Sequence, residues 1–553
     1  MERKRNQITC IKKWVTSLLV VMMLLVGTPE VYGASGSVNV TIPQFKIHLN
    51  GTTVDNTYRK YPFLVYNDVT YFPMTYYDCR FLGVESQWNE NSRLLSVQKS
   101  DVAGSYQDYK TNNRNQKSYR ASISNDFLKV NGTSVDNKKE TYPVLTFRGV
   151  TYFPMTWKYG VENFGWDYRF DKVNGLIINS KNTTVTNVTL PLAKISTGMD
   201  ENPYEYHCIL AGNHYFYEGK NGAIYMTPVN NPSTAKKVYQ LPPWSYGDGK
   251  QLVWAHFMNE SGNAVLHYHQ GGASMGYDAK LTFSADGTYK EETEDYFNSA
   301  AFVDPVTNEK KVVSVYYGMF SQAGNLSLSI DGAEATSLGD SKIRYSATPV
   351  IDGDFAYVVG APENNGMEQA HSNLYKINLI TNEIQQLTQD NTFATDVALM
   401  NQQEQNKKQI LVAMGMLKNG EFTERSLYSM DLDGKNQKKV ATLIKDAPNY
   451  IVLGSSVFYT SGTYGNQKLF RLGEKESLNP QGKLTSMGLA GEGYFYATFK
   501  EESECSYRLM VFDSKGKLVF RSADVAQQIV VDQGRLCYVE QSGTVCLTKL
   551  ALQ

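Results

Sequence analysis

The chain has 553 residues, 12 % of them aromatic and only 20 % charged, with 54 Lys and Arg against 55 Asp and Glu. A near-neutral balance of this kind offers no support for nucleic-acid binding, which needs a basic face, and the length allows several domains, each with its own core. With 38 Tyr and 43 Gly, the composition favours strands and turns over helices.

The first segment reads as an export signal. Arg3, Lys4, Arg5, Lys12 and Lys13 form a basic start, and residues 15–26 are an apolar run too short for a comfortable bilayer span. Gly27 and Pro29 break the run, and Val31-Tyr32-Gly33 places small or modest side chains at −3 and −1. Cleavage is therefore expected between Gly33 and Ala34, leaving a mature chain with no membrane span. No Cys directly follows the apolar run, which argues against a lipoprotein. Cys79, Cys208, Cys505, Cys537 and Cys546 remain, an odd and unpatterned set that is not a disulfide scaffold. Cys537 and Cys546 flank Gln541-Ser542-Gly543 and form a candidate hairpin disulfide; a one-residue change of register would separate them.

The first third is duplicated. Val69-Thr70-Tyr71-Phe72-Pro73-Met74-Thr75 returns as Val150-Thr151-Tyr152-Phe153-Pro154-Met155-Thr156, 81 positions on. Asn50-Gly51 and Tyr61-Pro62 return with the same offset, as Asn131-Gly132 and Tyr142-Pro143. In each copy Asn-Gly marks a hairpin, and Asn67-Asp68 or Arg148-Gly149 makes a tight turn between two further strands. Pro73 and Pro154 close the strand and suit the first turn of a helix, where a missing N–H costs nothing, so helices are expected over residues 74–82 and 155–164. Trp88 and Trp166 then open the next strand. Each copy is expected to be a small antiparallel sheet wrapped on one helix.

This order of motifs, Gly-x-x-Val, Tyr-Pro, the Val-Thr-Tyr-Phe-Pro-Met-Thr junction and a following Trp, resembles the copper amine oxidase N-terminal-like stalk domain. The resemblance implies a non-catalytic extracellular module, found in tandem in exported proteins of Gram-positive bacteria, and implies neither copper nor amine oxidation. Catalytic members carry an Asn-Tyr-Asp/Glu cofactor precursor and three copper-binding His. Here the nearest tripeptide is Asn449-Tyr450-Ile451, without the acid. His267-Tyr268-His269 places two imidazoles on one strand face, but among seven His no third ligand is apparent.

Residues 101–120 are polar without an apolar period and read as a linker, as do residues 182–195. Beyond them, aromatic strands, Gly/Asn loops and Asx-Gly turns recur about every 46 residues, from Tyr215-Phe216-Tyr217 to Leu536-Cys537-Tyr538. A period in the forties with several short strands is the mark of a β-propeller, and a strand near residues 188–194 is expected to complete its last blade. Residues 427–440 resemble the low-density-lipoprotein-receptor-like propeller repeats of bacterial surface proteins. Asp431-Leu432-Asp433-Gly434 has the look of a calcium loop but lacks its later Glu and reads as a hairpin turn. No Walker, His-Glu-x-x-His or Cys-x-x-Cys motif is present.

The expected architecture is multidomain: two small α+β stalk domains and an all-β propeller of seven or eight blades. The expected boundaries are 1–33 for the signal, 44–100 and 121–181 for the stalk copies, 101–120 and 182–195 for the linkers, and 196–553 for the propeller. The expected function is that of a secreted or cell-surface, non-enzymatic binding protein without cofactor. A cell-wall polymer or another surface protein is its expected partner. The alternatives are an extracellular enzyme acting on glycan or peptide in the propeller funnel, and a structural wall component. Carboxylates converging within about 5–9.5 Å would mark the enzyme; a lining of Tyr, Asn and Ser without them would mark the binder.

Overall fold

A computed structural model describes residues 36–196, 204–242, 254–272, 275–294, 297–317, 324–363, 371–402, 407–418, 421–423, 425–444, 450–463, 466–478, 483–500, 508–522 and 524–550. The signal segment with the Gly33–Ala34 cleavage point, and Cys505, lie outside the described residues. The chain divides into two compact units. One comprises Met1–Asp78, Ser86–Gln98 and Asp108–Asn179, the other Cys79–Glu85, Lys99–Gln107 and Ser180–Gln553.

The first copy of the duplication runs β1 (Ser37–Thr41), β2 (Ile47–Leu49), β3 (Thr52–Val54), β4 (Leu64–Tyr66), β5 (Val69–Pro73), α1 (Tyr76–Phe81), β6 (Val84–Asn89) and β7 (Leu94–Lys99). The second runs β8 (Ser118–Ile123), β9 (Phe127–Val130), β10 (Thr133–Val135), β11 (Leu145–Phe147), β12 (Val150–Pro154), a π-helical turn at Trp157–Asn163, β13 (Asp167–Asp171) and β14 (Gly175–Asn179). The turns are as expected: Asn67, Asp68, Arg148 and Gly149 all adopt positive φ, the geometry that matches the twist of a two-residue hairpin.

The expectation of a separate sheet for each copy is corrected by the strand pairing. β1, β4, β5, β12, β11 and β8 close one barrel in that order, so both copies build it together. At its centre β5 and β12 pair antiparallel with Phe72 opposite Phe153. Met74 N donates to Thr151 O and Met155 N donates to Thr70 O, at 2.9 and 2.7 Å. β2 pairs in parallel with β14 of the other copy, and β7 with β9. The physical reason is edge coverage. Within one copy β5 has a hairpin partner on one side only, and its other side would be left as a free edge. A second copy of the same sequence, turned about a pseudo-two-fold axis, covers it. Tyr71 and Tyr152 fill the barrel with Val40, Leu64, Ala121 and Leu145.

Pro73 and Pro154 close their strands as expected, but the helix start expected at them is corrected: α1 begins only at Tyr76. Thr75 N and Thr156 N each donate to the proline carbonyl two residues back, at 2.8 Å, which turns the chain before any helix starts.

The other unit is mostly β. From Cys208 onward its strands pair antiparallel with their sequence neighbours, beginning with the four-stranded meander Cys208–Ala211, His214–Glu218, Ala223–Pro228 and Lys236–Gln240. Further meanders follow in chain order. The penultimate is Lys483–Gly491, Tyr494–Lys500, Leu509–Phe512 and Leu518–Ser522. The last is Ala526–Asp532, Arg535–Glu540 and Val545–Lys549, and its fourth strand is β15 (Thr186–Val188), from ahead of the first meander. First strands of successive sheets lie side by side: Cys208–Ala211 touches both Trp254–Glu260 and Ala526–Asp532, which also touches Lys483–Gly491. This is the connectivity of a β-propeller, with the first strand of each sheet innermost and the ring closed by a strand from the far end of the chain. The closing strand lies just ahead of the expected 188–194.

The register corrects the candidate disulfide. Cys546 stands opposite Tyr538, and Cys537 opposite Leu547. The two side chains therefore leave opposite faces of the sheet, Cys537 entering the core with Cys208 and Cys546 the core with Tyr538. Both thiols are free.

The segment read as a polar linker is ordered by backbone hydrogen bonds that composition does not reveal. Ala103 N donates to Arg521 O at 2.9 Å, and Ala103 and Ser105 make parallel bridges to Ser522 and Val185. Asn182 Nδ2 donates to Ser100 O and Val102 O at 3.1 and 2.9 Å, and Asn187 Nδ2 donates to Tyr106 O at 3.1 Å. Lys99–Gln107 thus runs from the outer strand Leu518–Ser522 of the penultimate sheet to the segment that carries β15.

Candidate functional site

The first strands of the last two sheets both carry an irregularity near their start. In Lys483–Gly491, Leu484 stands opposite Phe499 and Ser486 opposite Thr498, leaving Thr485 as an extra residue. In Ala526–Asp532, Gln527 stands opposite Val539 and Val530 opposite Cys537, so Gln528 and Ile529 together face Tyr538. Gln528 takes a φ of 51° to do so. Such bulges re-aim side chains and leave local backbone groups outside the ladder.

Between them lies a cavity of about 510 Å³, within the range of small-ligand sites. Thr485, Ser486 and Thr498 line one side. Their hydroxyls form one network, Thr498 Oγ1 lying 2.8 Å from Thr485 Oγ1 and 2.6 Å from Ser486 Oγ. Gln527, Gln528 and Gln541 line the other. Gln527 is held because its Oε1 accepts from Tyr206 N at 3.3 Å, and Gln541 because its N–H donates to Val525 O at 3.1 Å. Arg508 is fixed through its backbone, N to Ser522 O at 2.9 Å and O from Phe499 N at 3.0 Å. The Tyr496 ring lies over Gly488, where an added Cβ would sit 2.7 Å from the Tyr496 oxygen. The lining therefore offers hydroxyls, primary amides, a guanidinium and a phenol, and no described carboxylate.

Acidic groups sit behind this wall. Glu540 precedes Gln541 and is 5 % exposed. Cys546 Sγ donates to its Oε1 at 3.2 Å and Ser542 Oγ to its Oε2 at 3.4 Å. Burial first, and the nearby charge of Asp524 second, push Glu540 up to about 7. Burial raises Asp524 as well, against the opposing charges of Arg80 and Arg508 and the Ser522 hydrogen bond. Burial and the neighbouring Glu540 push the Cys546 thiol far up, so it serves as a donor and not as a nucleophile.

A pH dependence follows. The folded chain holds the Glu540 proton more tightly than the unfolded chain, whose ordinary value is 4.5. Glu540 therefore favours folding fully below pH 4.5, and this contribution is lost as pH rises through about 7. The loss is on the order of 3 kcal/mol. Urea denaturation across this window should show wild type losing that much more stability than Glu540→Gln; parallel profiles would refute it.

The residues singled out in the sequence lie elsewhere. His267 and His269 share a face, and the third imidazole missed in the sequence is His256, directly opposite His267 with ring centroids 5.1 Å apart and nearly parallel. Cross-strand register supplies it, which spacing along one strand cannot show. Among the described residues no group of three ligating side chains is arranged to hold a metal. Asp431 and Asp433 sit in a turn closed by Gly434 N to Asp431 O at 2.9 Å, and are paired with Lys407 and Lys435. They form the expected hairpin turn. Sequence reasoning missed the cavity, because its Gln, Thr and Ser residues are brought together by two register shifts.

No family model matches the chain, and no curated protein matches it. Among solved structures it is similar to the Pyrococcus horikoshii acylaminoacyl peptidase, at 11 % identity and a TM-score of 0.35, over 52 % of this chain and 49 % of that one. The chain thus spans about half the length of that peptidase. BamB from Moraxella catarrhalis is similar at 11 % identity and 0.31, over 67 % and 98 % of the two chains. Dipeptidyl peptidase 4 of Porphyromonas gingivalis is similar at 11 % and 0.29, over 61 % and 64 %. These neighbours are β-propeller proteins. Among the described residues no helix is long and apolar enough to cross a membrane.

Proposed function

We propose that this is a secreted or cell-surface, non-enzymatic binding protein of Gram-positive type. In this reading residues 44–100 and 121–181 are the stalk pair, and residues 196–553, closed by β15, are a propeller of seven or eight blades that takes a cell-wall polymer or another surface protein. The observation that carries the reading is the cavity between the last two sheets. It gathers hydroxyls and amides that both donate and accept, with a guanidinium and a phenol, and no described carboxylate lines it. Its size suits a short polymer segment. The test is retention of the mature chain on purified cell wall and on a glycan array, compared with the variant Thr498→Val/Gln528→Ala/Gln541→Ala. Wild type should be retained and the folded variant should wash through; equal behaviour of the two would refute the cavity as the site.

One observation favours the second reading, a hydrolase acting on glycan or peptide. Glu540 and Asp524 are two acids with raised proton affinity within electrostatic reach of each other, as a general acid requires. Neither lines the cavity, so the binding reading is preferred. Turnover of cell wall by wild type, abolished in Glu540→Gln, would reverse that preference.

A further inference from the structure

We infer that a second cavity of this unit binds a phosphodiester, a phosphate group esterified to two alcohols. The inference is independent of the ligand proposed for the first cavity. The second cavity, of about 420 Å³, has the size of a small-ligand site. It is lined by Leu453, Ser455, Ser456, Arg471, Ser514 and Lys515 with two glycines, so two cations and three hydroxyls meet there and no described carboxylate does.

Three pieces of chain bring these groups together. Ser455 and Ser456 come from the hairpin joining Tyr450–Leu453 to Ser456–Thr463, and Arg471 from the end of Asn466–Arg471. Ser514 and Lys515 come from the turn between Leu509–Phe512 and Leu518–Ser522. That turn rests on the Arg471 stem: a Cβ on Gly516 would sit 3.5 Å from Arg471 Cδ and 3.0 Å from the Phe458 ring. The guanidinium is held by Nη1 donating to Glu474 Oε1 at 3.0 Å and Nη2 to Ser456 Oγ at 3.2 Å, with its side chain 32 % exposed. Ser456 is 7 % exposed and, accepting from Arg471, keeps its own hydrogen to donate. The Ser455 and Ser514 hydroxyls and the Lys515 ammonium have no hydrogen-bond or ion-pair partner among the described residues.

Charge sets the class. Glu474 offsets Arg471, and Asp513 Oδ1 serves its own turn, accepting from Lys515 N and Lys517 N at 2.8 and 2.9 Å. Lys515 is left as the uncompensated charge in the lining, one positive charge for the single negative charge of a diester; a phosphate monoester carries nearly two. The main rival is a carboxylate, which presents two oxygens in one plane. Here the donors reach the cavity from two turns and a strand end, an arrangement suited to the four tetrahedral oxygens of a phosphodiester. Leu453 adds an apolar wall for the esterified carbons.

The experiment is isothermal titration of the full mature chain at low salt with three probes: glycerophosphoglycerol, inorganic phosphate and acetate. The diester should bind saturably and about tenfold more tightly than acetate. Lys515→Ala should weaken it about tenfold, the loss of one charge-assisted contact. Glu474→Gln, which removes the acid paired with Arg471, should strengthen it. Both positions are exposed, so neither change threatens the fold. The variant Thr498→Val/Gln528→Ala/Gln541→Ala should bind the diester as wild type does, which keeps this site distinct from the first cavity. Acetate binding as tightly as the diester, inorganic phosphate binding more tightly, or no effect of Lys515→Ala would overturn the proposal. So would the absence of saturable binding by a chain that melts cooperatively, and none of these results bears on the first cavity. Loss of diester binding in the triple variant would assign the diester to the first cavity and overturn this site.

Discussion

Trp166→Ala should destabilise the N-terminal unit by about 3–5 kcal/mol, the cost of deleting a fully buried large aromatic. Trp166 is 2 % exposed, with its ring centroid 4.9 Å from Phe72 of the other copy and 4.9 Å from Phe164 of its own. Phe72 also meets Phe63, and Phe153 meets Tyr159 and Phe164, edge to face. Removing the indole therefore opens a cavity where the two copies interlock. Trp88, expected to open its strand as Trp166 does, is instead the fifth residue of β6 and is 43 % exposed. Trp88→Ala should change stability by no more than about 0.5 kcal/mol. Chemical denaturation of both variants, followed by tryptophan fluorescence and circular dichroism, checks the contrast. Equal effects would refute the unequal roles of the two residues.

Arg59→Met should cost a similar amount, about 3–5 kcal/mol, because it strands a buried charge. The Arg59 and Asp78 side chains are both fully buried and ion-paired. Thr75 Oγ1 donates to Asp78 Oδ2 at 2.5 Å and accepts from Asp78 N at 3.3 Å, a capping arrangement at the start of α1. With the guanidinium removed, Asp78 must take up a proton or drag water into the core. The double variant Arg59→Met/Asp78→Leu should recover most of the loss, since an apolar pair of similar volume often replaces a buried ion pair at little cost. A double variant as unstable as the single would show that packing, and not charge, sets the effect. In the second copy the positions 81 residues on are Glu140 and Tyr159. There Tyr159 faces Glu140, which pairs with Lys158 on the surface, and the α-helical turn is replaced by a π-helical one.

How much of this was legible in the sequence depends on what each residue's neighbour is. The hairpin turns at Asn67-Asp68 and Arg148-Gly149 are local events, written in two residues, and they stand where the composition places them. The repeated Val-Thr-Tyr-Phe-Pro stretch announced a duplication. A strand that matches two equivalent partners, however, does not say whether it pairs within its own copy or across to the other; the free edge of β5 decides that only in three dimensions. Cys537 and Cys546 failed to meet because Tyr538 took the place opposite Cys546, a matter of one residue of register. The cavity was invisible for the same reason. The bulges at Thr485 and Gln528 leave no mark in hydrophobic periodicity, and Gln, Thr and Ser are ordinary loop residues until a register shift aims them at one another.

The closing strand carries a consequence for how the chain matures. Val188 pairs with Val545, 357 residues later in synthesis, so β15 emerges early and finds its partner last. Until then the unpaired edge of Thr186–Val188 has no sheet to join, and ring closure waits on a pairing 357 residues apart in the chain. Contacts of such sequence separation are slow to form and leave strand edges exposed meanwhile. The last step of folding should therefore be the docking of β15, and a truncation before residue 545 should leave a ring that assembles but stays open and sticky.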